Sequence, residues 1–469
     1  MSSLVPSVVR RVLACAALAL TFLVLATAGS ASAAPILDLE TLDGPTAIEM
    51  MDKGELTSVE LTQAYIDRIL ALNQQGPGLN AVAQFNKEAL KEAQKTDELR
   101  AEGKTLGPAM GLPILLKDLI DVKGMYTSAG NFSLRDSYPA TDSGVAKKLR
   151  ESGVVILGKL GLSEFAHYFA NEPSGFSNLT GQVINAVDAD QGPGGSSSGS
   201  GASGAAALSM LTIGTSTGGS ITSPSGAQGL IGLTPTLGLV PGYGIAPIAA
   251  SQDTAGPMER TMADAALNLT ATAGPDPLND YSGIWGPGVD DDYIVPPLPD
   301  PIPDYLSALD LKYVKGKRIG YTNTTPETFE AKQILEDAGA ILVSRPNISG
   351  GSTPPSIFAY EAKRDVTRYY ERLGPDAPIH SIHEEVLANE AEAHEALKYG
   401  HGPHLEADAI DLAPNSADSI EYRENLVKGK EITRKGLDLM FQNNTPGDTS
   451  DDFIALLGAP PNPTRPGYP

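Results

Sequence analysis

Gly111-Leu-Pro-Ile-Leu-Leu-Lys-Asp118, Asp142 to Ser152 and Val154-Val-Ile-Leu157 together decide the fold. The first and last are short apolar runs, each a strand by length and composition. The stretch between them, with Val145, Ala146 and Leu149 among charged residues, reads as a helix. Strand, helix and strand at this spacing predict an α/β sheet. Upstream, Thr57-Ser-Val-Glu60 is a capping box, and Leu61, Tyr65, Ile69 and Leu72 follow at helical spacing. A second, charge-rich helix is expected on the surface over Lys87 to Glu102.

From Gly192 to Gly232 the composition turns to Gly, Ser, Ala and Thr with no charged residue. Gly/Ser tracts are commonly flexible linkers. Here, however, an apolar, helix-compatible run over Ala205 to Ile213 and the buried-looking Leu230, Ile231 and Leu233 point to tightly packed backbone, where small residues permit close approach. Prolines are dense over residues 274–303, which marks a long surface connection. Beyond it, Arg318 to Tyr321 and Ala340 to Ser344 read as strands around a helix over Pro326 to Ala338, continuing the α/β pattern. Residues 356–439 read as helical and acidic, and Gly458 to Pro469 as irregular.

The N-terminus carries Arg10 and Arg11, an apolar run from Val12 to Ala28, and Ala31-Ser-Ala33. That is the anatomy of a secretory signal peptide, with cleavage expected after Ala33 and export from the cell. Cleavage would remove Cys15, the sole cysteine, so the exported chain would rely on its core rather than on disulfides. A net charge of −23 argues against nucleic acid and anionic membranes as partners. The sequence does not read out an oligomeric state.

Three tracts can carry chemistry. Lys117 ends an apolar strand, so it is expected either to pair with a carboxylate, Asp118 being the nearest, or to lose its proton through burial. Gly194-Gly-Ser196-Ser-Ser-Gly-Ser200 and Gly214-Thr-Ser-Thr-Gly-Gly-Ser220-Ile221 each set a serine behind paired glycines, on turns whose N–H groups could face an oxyanion. The match of Gly199 to Gly204 to a dinucleotide fingerprint lacks both the preceding strand and the later acidic residue. His380-x-x-His383 and His401-x-x-His404 are read as surface histidines rather than metal ligands, and His167 as structural. Asn131, Asn178, Asn268, Asn323, Asn347 and Asn443 begin glycosylation sequons.

Together these tracts resemble the amidase signature family, whose two catalytic serines stand as far apart as Ser196 and Ser220 do. Val154 to Glu164, Gly229 to Thr236 and Ser251-Gln-Asp-Thr-Ala-Gly-Pro-Met258 extend the likeness, strongest over residues 40–275. The resemblance implies a single large α/β domain over residues 34–469, with a signature core over about 105–275. Its central mixed β-sheet would be covered by helices, and the C-terminal segment of the fold would be lacking. It implies an amidohydrolase in which Ser220 is the nucleophile, Ser196 relays protons after a cis Gly195-Ser196 bond, and neutral Lys117 is the base. The backbone N–H groups of Thr217, Gly218, Gly219 and Ser220 would form the oxyanion hole. No cofactor or metal is implied.

This sequence departs from the family at Ser216, where an acidic residue is usual, at Thr222, often basic, and at Thr234, often lysine. The lack of a base at Thr222 resembles the peptide amidase branch. The expected substrate is a small or peptide C-terminal amide, bound near Tyr126 to Asn131 and the proline-rich connection. Ester or urethane cleavage by the same triad, and a non-catalytic exported binding protein, are the alternatives. The transamidating component of tRNA-dependent amidotransferases shares the motifs, but the acidic charge and the expected export count against it.

Overall fold

A computed structural model describes residues 37–279, 281, 283–322, 326–345, 357–441 and 452–458. The signal-peptide reading, the sequons at Asn323, Asn347 and Asn443, and the C-terminal stretch from 459 lie outside the described residues. Residues from Asp38 onward form one compact unit.

Helices α1 (Gly44–Asp52) and α2 (Ser58–Leu72) open this unit. Helix α2 begins at the predicted capping box, with the Thr57 side chain accepting from the Glu60 N–H and Glu60 returning the bond to the Thr57 N–H. Leu61, Tyr65 and Ile69 form its buried stripe. Strand β1 (Val82–Phe85), helix α3 (Ala89–Ala101), strand β2 (Pro113–Lys117), helix α4 (Gly144–Glu151) and strand β3 (Val155–Leu160) follow. Next come a small hairpin of β4 (Phe176–Ser177) and β5 (Gly181–Gln182), helix α5 (Ser198–Ala205) and strand β6 (Leu211–Ser216). Helix α6 (Thr222–Ala227), strands β7 (Ile231–Gly232) and β8 (Thr254–Glu259) and helix α7 (Met262–Thr272) complete the core.

The central sheet has the order β1-β3-β2-β6-β8-β7. Strand β2 pairs in parallel with β3 on one side and β6 on the other, whereas β1, β7 and β8 join antiparallel. The sheet is therefore mixed, as expected. Every residue of β2, β3, β6 and β8 is buried, which explains why these strands read as continuous rather than alternating runs. The C-terminal ends of β2 and β6 bring Lys117 and Ser216 to the same edge, where ligands gather in open α/β sheets.

One expectation is corrected. The helix in the small-residue tract is Ser198–Ala205, not the apolar run Ala205 to Ile213, which ends inside β6. Close backbone approach selects this: a Cβ at Gly199 would stand 2.4 Å from the Gly161 carbonyl oxygen and 2.6 Å from that of Ala81. The buried serines satisfy backbone groups of β6, with Ser200 Oγ donating to the Ile213 carbonyl and Ser197 Oγ to that of Thr215, both at 3.0 Å.

Strands β9 (Arg318–Tyr321) and β10 (Ile341–Ser344) form around helix α8 (Pro326–Asp337) as the sequence indicates, apart from the central sheet. They pair in parallel in a separate sheet with β11 (Ala455–Leu457). Strands β9 and β10 are only partly buried, as befits a peripheral layer. The acidic C-terminal part supplies helices α9 (Phe358–Leu373), α10 (Ile382–Ala391), α11 (Gly402–Asp408) and α12 (Ala417–Phe441). Among the described residues, no helix is long and apolar enough to cross a membrane.

Replacing Gly199 by Ala drives a methyl into backbone that cannot yield, so Gly199→Ala is expected to cost roughly 1–3 kcal/mol in denaturant titrations. Gly226→Ala, where a Cβ meets nothing within 4 Å, should be neutral or slightly stabilising.

Candidate active site

Lys117 is wholly buried at the end of β2. Its Nζ lies 2.7 Å from Ser196 Oγ, 3.0 Å from Ser197 Oγ and 3.4 Å from the Thr215 carbonyl oxygen. Of the two fates the sequence leaves open, pairing with Asp118 is not the one taken. Successive strand residues point to opposite faces, and the Asp118 carboxylate instead accepts from Lys159 Nζ at 2.9 Å and from the Ser128 hydroxyl. Burial without a contacting carboxylate pushes the Lys117 ammonium down to about 7, against the opposing pull of the more distant Asp253 charge.

Ser196 is equally buried and follows a cis Gly195-Ser196 peptide bond. Its carbonyl accepts from the Ser163 N–H at 3.0 Å, and the next N–H, of Ser197, donates to the Ser220 carbonyl at 3.2 Å. That bond ties the two serine segments together. Ser220 sits in the loop between β6 and α6, where Gly219 has φ +115°, a conformation that favours glycine. Ser220 is only half-buried.

The loop departs from the expected oxyanion hole. The Gly219 and Ser220 N–H groups both donate to Ser216 Oγ at 3.0 Å, so the serine standing in place of the family's acidic residue occupies two of the four expected donors. Thr217 is fixed through its hydroxyl, which donates to the Asp253 carboxylate. Thr217, Gly218 and Gly219 nonetheless line, with Ser196 and Ser220, one cavity of about 620 Å³.

The opposite wall is made by Ala166, His167, Tyr168 and Phe358. Phe165, Ala166 and His167 adopt successive positive φ values of 44°, 54° and 70°. His167 is thus part of the cavity rather than merely structural, and its Nδ1 lies 3.2 Å from the buried Glu172, which raises the imidazole pKa. A smaller chamber adjoins past Thr217 and Ile248, walled by Asp253, Asp365, Arg368 and Tyr369 and, from the proline-rich connection, by Asn279 and Tyr281.

The Tyr126 to Asn131 segment does not line either cavity. It turns inward, with Ser128 bound to Asp118 and Asn131 Nδ2 donating to Glu164 at 2.8 Å. Burial pushes the Glu164 carboxyl up to about 8, against the hydrogen bonds from Asn178 and Asn131. Asn131 and Asn268 are wholly buried, which removes their sequons from reach of glycosylation in the folded chain. His401 and His404 are likewise buried, not at the surface: His404 stacks edge-on against Phe165 and Phe169. Among the described residues, no group of three or more His, Cys, Asp or Glu could hold a metal ion.

The Amidase family model matches residues 60–343, and the chain belongs to the amidase family. The fold is similar to that of the native peptide amidase of Stenotrophomonas maltophilia, at 36% identity and a TM-score of 0.77, covering 86% of this chain and 82% of that one. A relative from Arthroderma benhamiae carrying the name amidase is 36% identical over 342 residues, 68% of this chain and 55% of that protein. A glutamyl-tRNA(Gln) amidotransferase component from Moorella thermoacetica is 37% identical over 284 residues, 61% of this chain and 54% of that protein. The matches thus span about half the length of these two relatives.

The lowered Lys117 pKa has a consequence for stability. Between about pH 7 and 10.5 an unfolded lysine is protonated while the folded one is largely neutral, so the wild type loses stability as pH falls through this window. Lys117→Met removes that dependence. Relative to wild type it is expected to gain up to about 1.4 kcal/mol per pH unit between pH 9.5 and 7.5 in urea titrations. Parallel pH dependences in the two proteins would mean that Lys117 stays charged when folded.

Proposed function

We propose that this chain is an exported amidohydrolase that cleaves a carboxylic amide to an acid plus ammonia or an amine, through an acyl-enzyme on Ser220. The observation that carries the reading is the 2.7 Å approach of a fully buried Lys117 Nζ to Ser196 Oγ, at the cavity that Ser220 also lines.

In this reading the neutral Lys117 accepts the Ser196 hydroxyl proton while Ser196 accepts that of Ser220, and Ser220 Oγ bonds to the amide carbon. Negative charge develops on the former carbonyl oxygen. Backbone N–H groups of Thr217, Gly218 and Gly219 are the donors proposed to meet it, with Gly219 exchanging its Ser216 acceptor for the oxyanion. On collapse the C–N bond breaks, and the proton returns from Lys117 through Ser196 to the leaving nitrogen, which is a poor anion and needs it. Water then repeats the sequence on the acyl-enzyme, releasing the acid and restoring Ser220. No step requires a cofactor.

A small amide or a peptide C-terminal amide is the proposed substrate. Similarity to the Stenotrophomonas maltophilia peptide amidase and the uncharged Thr222 at the cavity support it. Export rests on the Arg10-Arg11, apolar and Ala31-Ser-Ala33 sequence, with residues 34–469 as the exported domain. N-terminal sequencing of protein recovered outside the cell should begin at Ala34, and retention of residues 1–33 there would refute the cleavage.

The activity is tested by intact-mass detection of a fluorophosphonate adduct and by hydrolysis of a panel of amides. Wild type should gain one adduct and release ammonia or amine, and Ser220→Ala should do neither. Lys117→Ala should lower the hydrolysis rate by about 10²–10⁴-fold. Because the base must be neutral, the wild-type rate should rise with pH through about 7 and level off above it. An adduct that persists in Ser220→Ala would refute the assignment of the nucleophile.

A further inference from the structure

Ser251-Gln-Asp253-Thr-Ala-Gly-Pro-Met258 has no part in the reaction above, yet its aspartate stands one hydrogen bond from the nucleophile loop. The Asp253 carboxylate accepts from three donors. Thr217 Oγ1 donates to one oxygen, and the Ile248 and Ala249 N–H groups donate to the other at 2.8 and 2.9 Å. Thr217 is the first residue after β6, so its hydroxyl anchors the start of the loop that lines the cavity. Ser216 Oγ anchors the far end, at Gly219 and Ser220. The loop is thus pinned at both ends by side-chain oxygen: Asp253 holds Thr217 from a distant segment, and the Ser220 end is also held by the Ser197 N–H at its carbonyl.

The segment that carries Asp253 is in turn fixed from the C-terminal helices. The Ala250 N–H donates to Asp365 at 3.0 Å, and the Ser251 N–H and hydroxyl donate to Glu361 at 3.2 and 2.9 Å, both acceptors lying on α9. Lys430 of α12 donates to the Ser251 carbonyl at 2.9 Å. Such a chain of buried, satisfied bonds has one arrangement rather than several, which suits a scaffold for backbone donors.

We infer that Asp253 is a positioning residue for amide cleavage: through Thr217 it holds the oxyanion donors against Ser220, and it links them to the C-terminal helices. The inference rests on the proposed Ser220 mechanism. Asp253 is half-buried at the wall of the adjoining chamber, desolvation there pushes its carboxyl up to about 7, and its charge opposes the depression of Lys117. The charged and titratable groups around it are Lys117 on β2, Asp365 on α9, Arg368 and Arg372 in the adjoining chamber, and Tyr281. Loss of the Asp253 charge should therefore lower the Lys117 pKa further and carry the acid limb of reactivity to lower pH. A merely structural residue would not move that limb.

The test measures the rate of fluorophosphonate labelling of Ser220 from pH 5.5 to 9 in the full chain. Asp253→Asn should slow the plateau rate about 10- to 100-fold and shift the acid limb to lower pH. Thr217→Val should slow it comparably, Thr217→Ser should restore most of the rate, and Asp253→Asn with Thr217→Val should be no slower than the worse single variant. A folded Asp253→Asn with a plateau within about twofold of wild type and an unmoved limb would overturn the inference. Should Asp253→Asn not fold, Thr217→Val labelling as fast as Thr217→Ser would overturn it equally. A wild type never labelled on Ser220 would overturn the amidohydrolase reading itself, and so separates the two failures.

Discussion

A lysine ammonium withdrawn from water, with no carboxylate in contact, is the constraint on which the rest of this structure depends. Charge in such a place is costly, and the group relieves the cost by giving up its proton. Two features of the fold create the situation. Strand β2 is enclosed by β3 and β6 and buried along its whole length, so its last side chain has no route to solvent. The adjacent carboxylate, which would restore the charge, faces away and is engaged by Lys159. The two lysines thus have opposite fates for a geometric reason: Lys159 meets Asp118, whereas Lys117 meets hydroxyls and a carbonyl.

Those hydroxyls, of Ser196 and Ser197, can come so close because the helix they lead into has almost no side chains. Helix α5 consists of serine, glycine and alanine, and it rests on backbone rather than on an apolar stripe. Its stability cannot come from an amphipathic face. It comes from close contact and from serine hydroxyls that return the hydrogen bonds lost from water, as Ser197 and Ser200 do against β6. The packing that holds the fold at this point and the packing that sets Ser196 on Lys117 are one arrangement.

This bears on what could be read beforehand. Strands β2 and β3 and helix α4 were legible because apolar runs and local caps report their own structure, and the capping box of α2 likewise needs only residues 57 to 60. Helix α5 leaves no such trace, since without apolar periodicity nothing distinguishes it from a loop, whereas the Ala205 to Ile213 run beside it carries an apolar signal. The partner of Asp118 lies 41 residues away, and that of Thr217 lies 36 away, so neither pairing leaves a local trace. The burial of His401 and His404 among phenylalanines depends on segments meeting across more than 200 residues. The triad positions were legible as a spaced set of motifs, but Asp253 and His167 were not assigned a place at the cavity, because only the folded chain brings them there.

The exchange at Ser216 gains meaning from the same constraint. A carboxylate at this position could accept the Gly219 and Ser220 N–H groups just as the Ser216 hydroxyl does, so holding the loop does not require charge. What charge would change is the field at Lys117, whose Nζ already touches the carbonyl of Thr215, one residue away along the chain. A second buried negative charge would favour the lysinium form and raise its pKa. With serine there, Asp253 is the carboxylate whose charge opposes the depression of Lys117, and it does so from the segment that also holds Thr217. The balance at Lys117 is therefore struck between its burial and the Asp253 charge, and the segment that carries this aspartate is fastened to α9 and α12.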